Sequence, residues 1–214
     1  VPEPELGDGK VVRFAAGPRA RCELVPRVFR GIIGDYLREP FDEDRWYAFR
    51  LFLQAPWESN QRNEVVAQWH STRDKIFGDT NGRGPPLAIR VIGDYFRISY
   101  GWDKKFISPE QHLARYTLWH GPLITGRWVD WVFKIRWSYD DDGAIQVWQD
   151  GKLIVDHVGP NTYNDIRGNY LKLGSYHPAV PRTVMLDDVY VGSNDPRDAR
   201  KRPETEAIVP EVRR

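Results

Sequence analysis

The chain has 214 residues, of which 41% are hydrophobic and 13% aromatic, so it is long enough for one globular domain with a sizeable core. Its 31 basic and 30 acidic residues leave a net charge of +1, which gives no bulk electrostatic reason to expect nucleic-acid or membrane binding. A single cysteine, Cys22, excludes an internal disulfide, and no run of 18 apolar residues is present. The first residues, Val1 to Glu5, are typical of a mature or trimmed start, so we expect no signal peptide in this sequence.

Short runs of alternating apolar and polar residues, separated by turn residues, recur along the chain and predict β-strands. We expect them at 11–16, 21–26, 45–54, 65–71, 87–92, 95–101, 114–119, 128–139, 144–149, 152–157, 170–176 and 183–192. Tight hairpins are predicted at Gly93-Asp94 and at Asp150-Gly151, the second of type I′. One helix signal, a capping-box pattern with proline, begins at Ser108.

These elements predict an all-β domain over residues 1–193, followed by a polar tail over 194–214. A dozen strands are too many for one open sheet, so we expect a β-jelly-roll sandwich of two antiparallel sheets, with a closed barrel as the alternative. The long loops at 55–64 and 72–86 are typical of the lips of a binding cleft.

Two strands carry polar side chains on one face. Gln68 and His70 share a face, with Trp69 opposite, and Lys172 and Tyr176 share a face of the strand 170–176. Either pair alone would be unremarkable on a solvent-facing sheet. Together these side chains are suited to removing a proton beside a carboxylate and protonating a leaving oxygen.

Three further sets are weaker candidates. Arg21 and Glu23 share a strand face, where a simple ion pair is the alternative to substrate binding. Asn161, in a polar loop, could donate a hydrogen bond to a carboxylate. Asp187 and Asp188 could hold a structural calcium ion, although solvated aspartates at a strand end are the simpler interpretation.

Several enzyme signatures are absent. The sequence has no G-x-S-x-G, no H-E-x-x-H and no glycine-rich nucleotide loop. It also lacks an E-x-D-x-x-E strand, so hydrolysis by paired carboxylates on a sandwich fold is disfavoured.

The order Gln68-Trp69-His70 followed by Y-x-K-x-G-x-Y over 170–176 resembles the heparin lyase I and glucuronan lyase group of polysaccharide lyases. The resemblance implies a concanavalin A-like jelly roll with a concave groove and β-elimination of an acidic polysaccharide to 4,5-unsaturated uronate ends. By position it makes His70 and Tyr176 catalytic, Lys172 substrate-binding, and Gln68, Arg21 and Asn161 neighbours of the carboxylate. We count Gln68 with the catalytic residues, and Arg21, Asn161 and Glu23 with the substrate-binding residues.

The chain is too short for the inserted thumb of heparin lyase I, which favours glucuronan as the substrate. Heparin- or alginate-type substrates, or a non-catalytic carbohydrate-binding module, are the alternatives. The resemblance further implies a secreted or periplasmic protein, and we expect a monomer that needs no cofactor for its chemistry.

The identity of the uronate decides the roles of the two catalytic residues. In D-glucuronate the C5 proton and O4 lie on the same face, so Tyr176 could act as base and acid with His70 assisting. In L-iduronate they lie on opposite faces, so His70 would take the proton and Tyr176 would protonate O4. We favour the first assignment.

Overall fold

The computed structural model describes residues 11–30, 33–80, 82–108, 116–198 and 211–213, with backbone only for 27–30, 33–35 and 211–213. In these ranges the strands are β1 (Val12–Ala16), β2 (Arg21–Val25), β3 (Arg27–Arg30), β4 (Ile33–Tyr36), β5 (Asp44–Leu53), β6 (Glu64–His70), β7 (Leu87–Ile92), β8 (Tyr95–Tyr100), β9 (Tyr116–Pro122), β10 (Trp128–Arg136), β11 (Ala144–Gln149), β12 (Lys152–Val158), β13 (Tyr170–Tyr176), β14 (Arg182–Gly192) and β15 (Glu211–Arg213). A short 3₁₀ helix spans Lys75–Phe77.

Two antiparallel sheets stack face to face. One has the order β1-β14-β5-β10-β11-β12 and the other β15-β2-β13-β6-β7-β8-β9, while β3 and β4 form a separate hairpin. The predicted jelly-roll sandwich is confirmed, and it replaces the closed barrel because, among the described strands, the first and last of each sheet do not pair.

Most predicted strands are present with small shifts at their ends. The type I′ turn is confirmed by positive φ angles at both central residues, 49° at Asp150 and 77° at Gly151. The strands β3, β4 and β15 were not predicted, and β15 lies inside the segment predicted to be a polar tail, where it pairs with β2. The helix predicted to follow Ser108 lies outside the described residues.

The core between the sheets is aromatic. Strand β10 alternates strictly, so Trp131 and Phe133 point inward and are fully buried. Trp69 of β6 packs against Phe133 with ring centroids 4.7 Å apart, and burial of such a side chain stabilises the fold by about 2–3 kcal/mol. Because Trp69 points into the core, its neighbours Gln68 and His70 face outward. In the described part of the chain, no helix has the length and hydropathy needed to cross a bilayer.

Candidate active site

The predicted site residues meet on the outer face of the seven-stranded sheet, where β13 lies between β6 and β2. Directly opposed residue pairs in the register are Tyr170 with His70, Lys172 with Gln68, Gly174 with Glu23, and Tyr176 with Arg21. The structure therefore brings together six of the nine predicted residues on three adjacent strands.

Gly174 permits the close approach of β2 to β13. Its φ is 140°, and a Cβ atom there would lie 2.3 Å from the carbonyl oxygen of Cys22, so no other residue fits without a backbone shift. Beside this glycine the amide Nε2 of Gln68 donates a hydrogen bond to Glu23 Oε1, which links β6 to β2.

Glu23 is a buried carboxylate that orients its neighbours. It is 3% exposed, accepts the hydrogen bond from Gln68, and lies 3.4 Å from Arg21 Nε. The contacts of its carboxylate are with protein groups, and substrate binding by Glu23 stays a prediction. Gln68 keeps a second amide hydrogen that can be donated elsewhere.

His70 is held as a neutral imidazole. Its Nδ1 is 2.7 Å from the carbonyl oxygen of Ser71, which can only accept, so Nδ1 carries the hydrogen and Nε2 carries the lone pair. Burial, and after it the nearby charge of Lys172, lowers the pKa of His70 from 6.5 to about 4, and Arg21 acts in the same direction. His70 is therefore unprotonated, and available as a base, at neutral pH.

Tyr176 and His70 flank the site from opposite ends. Tyr176 lies six residues along β13 from Tyr170, the residue opposite His70, and the strand pairing is irregular between Leu173 and Tyr176. The guanidinium of Arg21 lies 4.4 Å from the centre of the Tyr176 ring. Arg21 therefore contacts the ring of Tyr176, and its charge also contributes to lowering the pKa of His70.

Sequence reasoning missed an aromatic–cation stack beside His70. The ring of Tyr170 stacks on that of Tyr36 at 4.3 Å, and the guanidinium of Arg38 lies 4.6 Å from the Tyr170 ring. Lys172 Nζ is 5.3 Å from the same ring. The signal for Tyr170 was its position two residues before Lys172 on the same strand face, whereas the contribution of β4 depends on non-local packing.

A basic pocket of about 440 Å³ opens next to His70. One side is formed by residues 72–76, part of the loop predicted to be a cleft lip. Four cationic side chains line it, namely those of Arg38, Arg73, Lys75 and Arg167. Asp74 adds one carboxylate to the lining, and the excess of positive charge attracts anionic groups.

Three predicted residues lie elsewhere. Asn161 is fully buried, where its Oδ1 accepts from the Ser138 N–H and its Nδ2 donates to the carbonyls of Arg136 and Ala144. Its side chain therefore joins the ends of β10 and β11, which replaces the predicted substrate contact with a structural role.

The two candidate calcium ligands belong to the opposite sheet. Asp187 and Asp188 lie on β14, with carboxylate oxygens 3.8 Å and 4.0 Å from Arg50 Nη1. Within the described ranges, no group of three or more His, Cys, Asp or Glu side chains is placed to hold a metal ion. Both aspartates thus face a cation, Arg50, which also pairs with Asp130.

A family model described as polysaccharide lyase matches residues 21–198. Among solved structures, an endo-β-1,4-glucuronan lyase from the fungus Trichoderma reesei is 18% identical, with 87% of this chain and 89% of that chain covered and a TM-score of 0.64. Alginate lyase AlyC3 is 14% identical over 85% and 74% of the two chains, with a TM-score of 0.55. A variant of alginate lyase Aly36B bound to an alginate trisaccharide is 13% identical over 86% and 82%, with a TM-score of 0.57. No curated protein sequence matches the chain.

Proposed function

The chain belongs to the polysaccharide lyase family, and from this premise we propose that it cleaves glucuronan, a polymer of D-glucuronate, by β-elimination. The observation that carries the proposal is the joint placement of Gln68, His70, Lys172, Tyr176 and Arg21 on one sheet face. The glucuronan and alginate lyases with the same fold act, by their names, on polymers of uronates, which supports the substrate class.

The reaction begins with neutralisation of the C5 carboxylate, because the C5 proton is acidic only when charge on that group is stabilised. In our proposal the second amide hydrogen of Gln68 and the guanidinium of Arg21 do this. A preorganised donor of this kind lowers the activation free energy by roughly 3 kcal/mol. Glu23 fixes the positions of both donors, since it bonds to Gln68 and lies against Arg21.

Elimination then removes the C5 proton, forms the C4–C5 double bond and breaks the C4–O4 bond, with a proton delivered to O4. On D-glucuronate both protons move on the same face of the sugar, so Tyr176 acts as base and then as acid. Neutral His70 assists through the lone pair of its Nε2. Lys172, between them, binds the anionic chain.

The basic pocket beside His70 takes the next acidic sugar of the polymer. Arg73 and Lys75 come from the loop that follows β6, and Arg167 comes from the segment before β13. Cations at this place give affinity for a repeating carboxylate without touching the reacting sugar. Cleavage of alginate is the second candidate, favoured by the alginate lyases that share the fold.

The test is a spectrophotometric assay for the conjugated 4,5-unsaturated uronate, with glucuronan, alginate, heparin, heparan sulfate, hyaluronan and ulvan as substrates. Tyr176→Phe is compared with Tyr95→Phe, which changes a partly exposed tyrosine on β8. We expect product from glucuronan with the wild type and with Tyr95→Phe, and none with Tyr176→Phe. If only alginate gives product, alginate replaces glucuronan as the substrate. Binding without product from any polymer would refute the catalytic proposal.

Three further proposals concern the localisation of the enzyme, its oligomeric state and its need for a cofactor. A substrate of this kind is an extracellular polymer, so we propose that the protein is secreted or periplasmic. We further propose that it acts as a monomer and that the elimination needs no cofactor. Activity that survives a chelator, together with a monomeric mass in solution, is the expected result.

A further inference from the structure

We propose that Arg83 is a positioning residue that fixes the orientation of His70 by way of Ser71. The proposal rests on the proposed role of His70 in the elimination. Arg83 touches neither His70 nor the pocket beside it, so it would act only through its neighbour.

Arg83 is a buried guanidinium that joins four segments of the chain. Its side chain is 3% exposed. Nη1 lies 2.7 Å from Asp79 Oδ2 and 3.3 Å from Ser108 Oγ, and Nη2 donates to Asp165 Oδ1. The ring of Tyr163 packs 4.4 Å from the guanidinium carbon. These contacts hold the guanidinium in one place.

The fourth segment begins immediately after His70. Strand β6 ends at His70, so Ser71 is the first residue without a ladder partner in the sheet. Arg83 Nε donates to Ser71 Oγ at 3.2 Å, and Ser71 is 4% exposed. The carbonyl of the same serine accepts the Nδ1 hydrogen of His70 at 2.7 Å. The anchored side chain therefore limits rotation of the peptide group that selects the tautomer of His70.

An arginine suits this position because it has five N–H donors in a rigid fork. The fork binds two carboxylates and two hydroxyls at once, whereas the ammonium of a lysine acts as a point charge. Asp79 and Asp165 compensate the guanidinium charge from two sides. The result is a rigid support beneath His70, with two carboxylates around one guanidinium.

The decisive comparison is Ser71→Ala against Ser108→Ala. Each removes one hydroxyl acceptor of the same guanidinium and keeps both ion pairs, but only Ser71 adjoins His70. We expect Ser71→Ala to lower kcat about tenfold with little change in KM, because a loosened imidazole is misplaced. Its ¹⁵N NMR spectrum should show a mixture of His70 tautomers. Ser108→Ala should retain the wild-type kcat and a single Nδ1–H tautomer.

A second variant guards against a folding defect. Arg83→Lys keeps a cation between Asp79 and Asp165 but cannot also reach Ser71, so it should give the same mixture of tautomers as Ser71→Ala. If both variants retain the single tautomer and the wild-type kcat, the positioning role is refuted. The NMR readout needs no substrate, so inactivity of the wild type on every polymer would refute the proposed function and leave this inference to be decided by the tautomer.

Discussion

Replacement of His70 by asparagine should remove a specific pH dependence from the stability of the fold. The pKa of His70 is lowered from 6.5 to about 4 by burial and by the charges of Lys172 and Arg21. At a pH between these two values, His70 is protonated in the unfolded chain and neutral in the folded chain. The free energy of unfolding therefore has its full value above pH 6.5 and decreases as the pH falls towards 4.

The size of the effect follows from the two pKa values. A difference of one pKa unit corresponds to about 1.4 kcal/mol, so the change from 6.5 to about 4 gives an upper limit of about 3 kcal/mol. It is an upper limit because the imidazole is partly exposed to solvent. Asparagine can retain a hydrogen bond to the Ser71 carbonyl but has no proton to bind in this range.

The measurement is urea unfolding followed by the fluorescence of the nine tryptophans, at closely spaced pH values down to 4. The free energy of unfolding of the wild type, minus that of His70→Asn, should decrease by up to about 3 kcal/mol across the window. His120→Asn, on the exposed edge strand β9, controls for the loss of a histidine as such. A difference between wild type and His70→Asn that does not vary with pH would refute the electrostatic argument.

Three other substitutions test the remaining parts of the structure. Glu23→Gln should lower kcat about tenfold in the unsaturated-uronate assay, because the acceptor that orients Gln68 loses its charge; an unchanged kcat would contradict the orienting role. Asn161→Ala should lower the free energy of unfolding by about 3 kcal/mol, at about 1 kcal/mol for each lost hydrogen bond, with no effect on kcat. Arg182→Met leaves the buried Glu64 carboxylate without its bidentate partner and should cost about 3–5 kcal/mol in urea unfolding, part of which a second change, Glu64→Gln, should restore.

Strand faces could be predicted from the sequence because alternation is a local property. The apolar Trp69 and Leu171 must point into the core, and this alone directs Gln68, His70 and Lys172 outward. The turn at Asp150-Gly151 was predictable for the same reason, since the conformation depends on two adjacent residues. Local chemistry was sufficient in both cases.

Which strands lie side by side is not a local property. The pairing of Lys172 with Gln68 follows from a choice of neighbour and register that the whole sandwich decides, and an irregularity in the pairing between Leu173 and Tyr176 shifts that register. Asn161 shows the same limit. From the sequence, a polar loop residue that contacts substrate cannot be distinguished from one that hydrogen-bonds to the backbone at the ends of buried strands. Arg83 carries no sequence signal of its role, which depends on four segments that meet only in the fold.

The cations of the site have two effects that reinforce each other. In the proposed reaction Lys172 and Arg21 attract a polyanion, and the same charges add to burial, the main cause, in lowering the pKa of His70. In the proposed complex a uronate carboxylate bound between them would offset their charge, and this would act to raise the pKa of His70. In the proposed elimination, where Tyr176 is the base, His70 would then assist more strongly as a proton acceptor when substrate is present. The charge that binds the polymer thus also couples its arrival to the basicity of the imidazole.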